Sequence, residues 1–260
     1  MELFSVPIEF LTLFVIAVLI ASYIQGVTGF AMAMLLVAVL GSARVLDFGV
    51  LTATVSLLAL VNIGMSLHGH YHLIQGRVVK YLVLGQIPGL FAGVWFLGLL
   101  SGRALSLLEF MLGVFIVLGC LAMVVKPRLR DEVSGSLSCV IAGLSGGLLG
   151  GLFAASGPVM GWFCYRQPLA IVEIRATLLS CFAISTLLRT GIVGINGGLT
   201  PQVWLYFLCG VPIVLIGTWL ARRFPPVLEE KNLRQCVFGV MIALGVWLIV
   251  SSIVGGAFSA

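Results

Sequence analysis

The residues of this chain best suited to chemistry are polar groups set beside glycines inside otherwise apolar sequence, and they occur twice. The first run, Gln25-Gly26-Val27-Thr28-Gly29, separates a long apolar stretch (8–24) from a short one (30–40). The second, Gly150-Gly151-Leu152-Phe153-Ala154-Ala155-Ser156-Gly157-Pro158, separates 137–149 from 159–165. Backbone that leaves a helix inside lipid strands its N–H and C=O groups unless it lines a cavity or is buried in protein. A helix that restarts after such a break offers first-turn N–H groups without intrahelical partners, at the positive end of its dipole. Two restarts, at Gly29 and Gly157, aimed at one point would build an anion site from backbone. Gly26, Gly29 and Gly157 let an anion approach the main chain closely. Thr28 and Ser156 can cap the restarts or donate hydroxyls, and Gln25 adds amide donors. Pro158 suits a first helical turn, where its missing N–H would be an orphan anyway. Glycines also serve tight helix packing in membranes. That use accounts for Gly143, Gly146 and Gly147, but not for the polar residues at both breaks.

Other candidates stand outside the breaks. Arg189, beside Thr190, lies within an apolar segment, where an ionisable residue points to function; at its depth it can also reach the outer surface. Asn62 is mid-segment and suits a cavity wall or a bond between helices. Arg175 heads the same segment as Arg189 and reads as an anchor at the membrane surface. His68, His70 and His72 alternate in a loop as metal-binding histidines can, but no cysteine or carboxylate lies in that loop, so no metal site is assigned. The six cysteines are scattered singly, without Cys-x-x-Cys, as small apolar residues do. Glu9, Glu109 and Glu173 sit near segment ends, which leaves no carboxylate relay at mid-membrane. An embedded enzyme would need a nucleophile–base pair or metal ligands in the spans, and Ser156 has no histidine there to activate it. No cofactor is expected.

The elements that hold these residues are membrane helices. The chain is 61% hydrophobic and 9% charged, with a mean hydropathy of +1.21. Its 260 residues supply about seven or eight passes of ~20 residues and little else. The net charge of +5 is therefore a loop property that reports topology and not nucleic acid. Met1-Glu2-Leu3-Phe4 has no basic region, so no cleaved signal peptide is expected. Apolar segments run over 8–40 (broken), 48–67, 79–100, 104–125, 137–165 (broken), 172–195, 203–221 and 233–254. The same order of broken and whole segments appears twice. Pro88, Gly93 and Trp95 match Pro212, Gly217 and Trp219 at one offset; residues 113–119 resemble 239–245; Ala53-Thr54 matches Ala176-Thr177. The expectation is two repeats, 1–125 and 126–260, in one membrane domain.

If each broken segment is a hairpin that enters and leaves on one side, one face holds Arg77, Lys80, Lys126, Arg128, Arg130, Arg166, Arg175, Arg222, Arg223, Lys231 and Arg234. The other then holds only Arg44 and Arg103. Full crossing by the broken segments would erase that bias, so the positive-inside rule favours hairpins, with both termini outside. Three full crossings per repeat invert the halves relative to each other and bring the hairpin tips together near the midplane. An anion leaving a negative interior gains about 2.3 kcal/mol per charge per 100 mV, which tilts the reading toward export.

Gly26-Val27-Thr28-Gly29-Phe30, the run Gly146-Gly147-Leu148-Leu149-Gly150-Gly151 followed by Gly157-Pro158, Arg175-Ala176-Thr177, and the segments bearing Pro88 and Pro212 together resemble the sulfite exporter TauE/SafE family of membrane permeases. The resemblance spans nearly the whole chain. It implies transport of small sulfur-containing anions, such as sulfite, sulfoacetate or other sulfonates. The resulting expectation is an all-α integral membrane protein of the bacterial inner membrane, with two inverted repeats, each a broken re-entrant hairpin plus three transmembrane helices. Its substrate site would draw on Gln25, Gly26, Thr28, Gly29, Asn62, Ser156, Gly157, Pro158 and Arg189. An anion channel, or a carrier of non-sulfur organic anions, is the alternative. Lipid is a partner, nucleic acid is not, and small-residue faces permit a homodimer without requiring one.

Overall fold

In a chain this apolar, every backbone polar group must find its partner within the fold, and helices do this locally. The computed structural model describes residues 8–43, 45–100, 105–124, 130–224 and 230–257, with side chains for 9–43, 45–100, 107–122, 130–224 and 238–253. Arg44, Arg103, Lys126 and Arg128 lie outside the described residues, and the side chains of Lys231, Arg234 and Cys236 outside the described side chains. Ten α-helices carry the described chain: α1 Ile8–Thr28, α2 Met32–Ser42, α3 Phe48–Leu67, α4 Gly76–Leu100, α5 Leu105–Val124, α6 Ser136–Phe153, α7 Gly157–Cys164, α8 Ile171–Ile195, α9 Pro201–Arg223 and α10 Glu230–Ala257. Six of them (α1, α3, α4, α6, α8 and α9) are long and apolar enough to cross a membrane, and the described parts of α2, α5 and α10 are shorter apolar helices. With its apolar belts, including exposed Trp95, Leu84, Leu208 and Trp219, the chain is a multi-pass, all-helical membrane protein.

Each broken segment is a long arm followed by a short one: 21 and 11 residues in the first, 18 and 8 in the second. The long arms reach span length because each helix runs on through part of its expected break: α1 includes Gln25–Thr28 and α6 includes Gly150–Phe153. At about 1.5 Å per residue, α1 is about 31 Å long.

Glycines set how closely the helices approach. Gly85, Gly89 and Gly93 of α4 face Gly143, Gly147 and Gly151 of α6 with no room for a side chain. A Cβ at Gly85 would strike the Val140 carbonyl, at Gly89 that of Leu144, at Gly93 that of Leu148. The order rises in both helices, so α4 and α6 run parallel. Gly217, the counterpart of Gly93, presses against Leu19 and Ser22 of α1, and Gly26 of α1 meets Ala221, so α9 and α1 also run parallel. Trp95 and Trp219 both face outward. Contacts between α3 and α8 descend in one as they rise in the other: Arg189 reaches Thr52 and Ser56, while Phe182 and Thr186 share a cavity with Ala59 and Ile63. These two helices are antiparallel. The main packing pairs exchange when the halves are exchanged: α4–α6 with α9–α1, α3–α9 with α8–α4, and α2–α10 with α7–α5.

Several described basic residues lie at helix ends. Arg222 donates to the Met65 carbonyl at the end of α3, the Arg130 N–H bonds the Arg166 carbonyl, and Gln75, before α4, bonds Thr177 and Glu173 at the start of α8. Glu173 also accepts from the Ala170 N–H and so caps its own helix.

Candidate functional site

The two breaks have the same length, 29–31 and 154–156, and each opens on a residue with positive φ: Gly29 at 80° and Ala154 at 56°. Gly29 is thus the stop of α1, in the left-handed conformation common just past a helix end, and not the start of the next helix. This corrects the expected restart: α2 begins at Met32, and the residue before it, Ala31, is itself left-handed at φ 91°. By this register the counterpart of Ser156 is Ala31, and Thr28 belongs to the last turn of α1.

The breaks touch. A Cβ on Gly157 would stand 3.7 Å from the Phe30 ring and 3.9 Å from the Ala31 nitrogen. Between them lies a cavity of about 30 Å³, room for one or two waters. Gln25, Ala31 and Met34 wall it from the first half, and Ala155, Ser156 and Gly157 from the second. Helices α3 and α8 close it with Ala59 and Ile63 on one side and Phe182 and Thr186 on the other. The spacing that relates Ala53-Thr54 to Ala176-Thr177 also relates Ala59 to Phe182 and Ile63 to Thr186. The side walls therefore stand at one sequence offset from each other.

The polar groups around the cavity are hydrogen-bond donors. The Gln25 Oε1 accepts from the Met32 N–H at 3.1 Å, which caps α2 and identifies that atom as oxygen. Its Nε2 has no protein partner among the described residues. Ser156 precedes α7 without a side-chain capping bond, and its hydroxyl has no described partner either. The first-turn N–H groups of Ala33, Met34 and Gly157 have no described backbone acceptor. Pro158 occupies the first turn of α7, as expected. Thr186 adds a hydroxyl. No charged side chain lines the cavity.

Several expected site residues stand elsewhere. The Thr28 hydroxyl lies 2.8 Å from both the Ile24 and Phe30 carbonyls, so it is occupied by its own chain, while the Thr28 carbonyl accepts from the Tyr165 hydroxyl at 3.3 Å. Gly26 is packed against Ala221, and Gly29 against Arg175. Asn62 bridges helices, donating to the Ser22 carbonyl at 3.0 Å and to Thr218 Oγ1 at 2.7 Å. Pro158 lines a separate apolar groove with Phe115 and Trp162. Arg189 is buried one helical turn beyond Thr186 and donates to Gly151, Thr52 and Ser56. The histidines are not gathered: among the described residues no group of three His, Cys, Asp or Glu side chains is placed to share a metal ion. Cys120, Cys139, Cys164 and Cys181 are buried and unpaired, and Cys209 is exposed.

Sequence reasoning missed Phe182 and Thr186. The signal was available: extending the Ala-Thr match along α3 and α8 pairs them with Ala59 and Ile63, but nothing in the sequence alone marked that stretch of α3.

Residues 13–248 match the family described as Sulfite exporter TauE/SafE. The chain belongs to this family. It is also 35% identical over 232 residues to the probable sulfite/organosulfonate exporter TauE of Cupriavidus necator, an alignment that covers 89% of this chain and 91% of that one. No solved structure matches the chain. Membership of the TauE/SafE family makes the chain a membrane transporter and not an enzyme.

Proposed function

We propose that this TauE/SafE protein exports a small sulfur oxyanion, sulfite or an organosulfonate, across the bacterial inner membrane, and that it binds the anion between the two breaks. The observation that carries this reading is the donor set around the cavity: Gln25 Nε2, the Ser156 and Thr186 hydroxyls, and the free N–H groups of Ala33, Met34 and Gly157. These groups donate and none carries a negative charge, so together they match an oxyanion with several acceptors. A neutral donor set also releases its ligand more readily than a fixed cation would, which suits a carrier that must let go on the far side.

The transport cycle follows from the two halves. Antiparallel α3 and α8, equivalent in sequence, are what inverted repeats require, and both termini then lie on the outer side. Rocking one half against the other would open the cavity alternately to each face. The Tyr165 hydroxyl on the Thr28 carbonyl ties the end of α7 to the end of α1, and breaking that bond is part of opening the basic, cytoplasmic side. The membrane potential drives an anion outward, so export needs no coupling ion.

Proteoliposomes loaded with unlabelled sulfite and given labelled sulfite outside test this directly. Accelerated, saturable counterflow in the wild type, lost in Ser156→Leu protein that still inserts, supports both carrier and site. Equal counterflow in both proteins removes the cavity as the site.

A further inference from the structure

Arg189 is 2% exposed, and its guanidinium meets only neutral acceptors: Nε to the Gly151 carbonyl at 3.3 Å, and Nη1 to the Thr52 carbonyl at 3.2 Å and to Ser56 Oγ at 2.8 Å. Its Nη2 is buried with no partner. A buried charge without a counter-charge is among the more expensive features a fold can carry, and in a membrane protein it marks a ligand path. Arg189 also lines a second cavity, of about 660 Å³, at the end of the bundle where α3 begins and α4 and α8 end. That end is opposite the one that holds Arg222, Arg130 and Arg166. The cavity wall is almost wholly apolar, with Phe91, Val94, Trp95 and Leu99 among its residues.

A lone guanidinium at the base of an apolar pocket fits a particular ligand shape: an acid group carried on a short hydrocarbon chain. We propose that Arg189 and this cavity form a second anion site, distinct from the cavity at the breaks, which takes the sulfonate group of an organosulfonate with its carbon chain along Phe91 and Trp95. The free Nη2 supplies the charge-assisted hydrogen bond to the acid oxygen. Arg189 follows Thr186 by one turn of α8, so an anion released past Thr186 toward the outer end meets it next. As a step in export this rests on the proposed function; as a binding site it stands alone. A lipid headgroup has the same chemistry, an acid group on an apolar chain, and the test separates the two sources.

The experiment is thermal unfolding of the purified full chain in neutral detergent, titrated with methanesulfonate, butanesulfonate and, separately, phosphatidylglycerol. Wild type is expected to bind butanesulfonate more tightly than methanesulfonate. Arg189→Gln should weaken butanesulfonate by roughly tenfold or more, the scale of a lost hydrogen bond to a charged group, and Arg189→Lys should restore part of it. Because Arg189 also ties α8 to α3 and α6, Gly98→Trp provides a second variant. A Cβ added at Gly98 meets no atom within 4 Å, and Gly98 lines the cavity, so a bulky side chain there has open space to enter and removes none of the guanidinium's own bonds. It too should abolish the preference for the longer chain. Ser156→Leu should remove only the response that belongs to the break cavity and keep the preference for butanesulfonate over methanesulfonate, which keeps failure of the break cavity separate from failure of this site. Stabilisation by phosphatidylglycerol alone, lost in Arg189→Gln, would assign the site to lipid. Unchanged butanesulfonate affinity in both Arg189→Gln and Gly98→Trp, or no stabilisation of the wild type by any of the three, overturns the proposal.

Discussion

The two breaks are alike in backbone and unlike in side chains. Both are three residues long and open on a left-handed residue, and each leads into a short helix. In the first, Gln25 reaches back from α1 to cap α2 through Met32, while the residue before α2 is an alanine with nothing to donate. In the second, no side chain caps α7; proline removes one orphan N–H, and Ser156 keeps its hydroxyl free. Both segments thus share the interruption of the helix, which is the costly part to build in a membrane, and place their polar side chains differently. One half contributes a fixed amide whose oxygen is already used; the other contributes hydroxyls that can turn toward a ligand.

Perturbing each side of this contrast separates ligand binding from fold maintenance. The largest effect is expected from Ser156→Leu, which fills the cavity and should bring transport in proteoliposomes below detection with membrane insertion unchanged. Gln25→Glu comes next. The carboxylate still accepts from the Met32 N–H and suits a helix N-terminus, so thermal stability should hold. It replaces an amide donor with a negative charge facing the anion, so transport should fall by at least tenfold. Ser156→Ala and Thr28→Val form a smaller, paired test. Ser156→Ala should reduce transport without changing the melting temperature. Thr28→Val should leave transport near wild type and cost about 1 kcal/mol of stability, because that hydroxyl serves only its own backbone. The smallest effect belongs to Ala31→Gly. Its φ of 91° is a strained setting for alanine, and relief of that strain less the added chain entropy should raise stability by about 0.5 kcal/mol, read as a small rise in melting temperature.

Much of this was legible in the sequence because membrane helices are bounded by composition. The segment 48–67 is α3 residue for residue, and 172–195 misses α8 only at its first residue. The breaks were visible because glycine with polar residues stands out when it recurs in apolar sequence, and the matched Gly93 and Gly217 each pack tightly against a neighbouring helix. What could not be read was direction around each helix axis. In an amphipathic helix the polar stripe shows which face is inward, but in α1, α3 and α8 the polar residues are a scattered minority and no single stripe marks the inward face. Thr28 and Ser156 therefore looked equivalent, although one points into its own turn and the other toward the cavity. Asn62 suited either a cavity wall or a bond between helices and was placed with the site; it is the bond, to Ser22 and Thr218. Arg189 looked like part of one central site and stands a turn beyond it, because three residues along a helix separate two cavities as readily as they join them. The restart at Met32 was hidden for a related reason: whether a glycine stops a helix or begins one depends on its φ, which the sequence does not carry.

The most direct measurement is the unfolding temperature of purified wild-type and Gln25→Glu protein titrated with sulfite, methanesulfonate, sulfate and chloride. Wild type should be stabilised selectively by sulfite or methanesulfonate, and Gln25→Glu, equally stable without ligand, should show no sulfite response at any concentration. Equal sulfite stabilisation of the two proteins would contradict an anion site between the breaks.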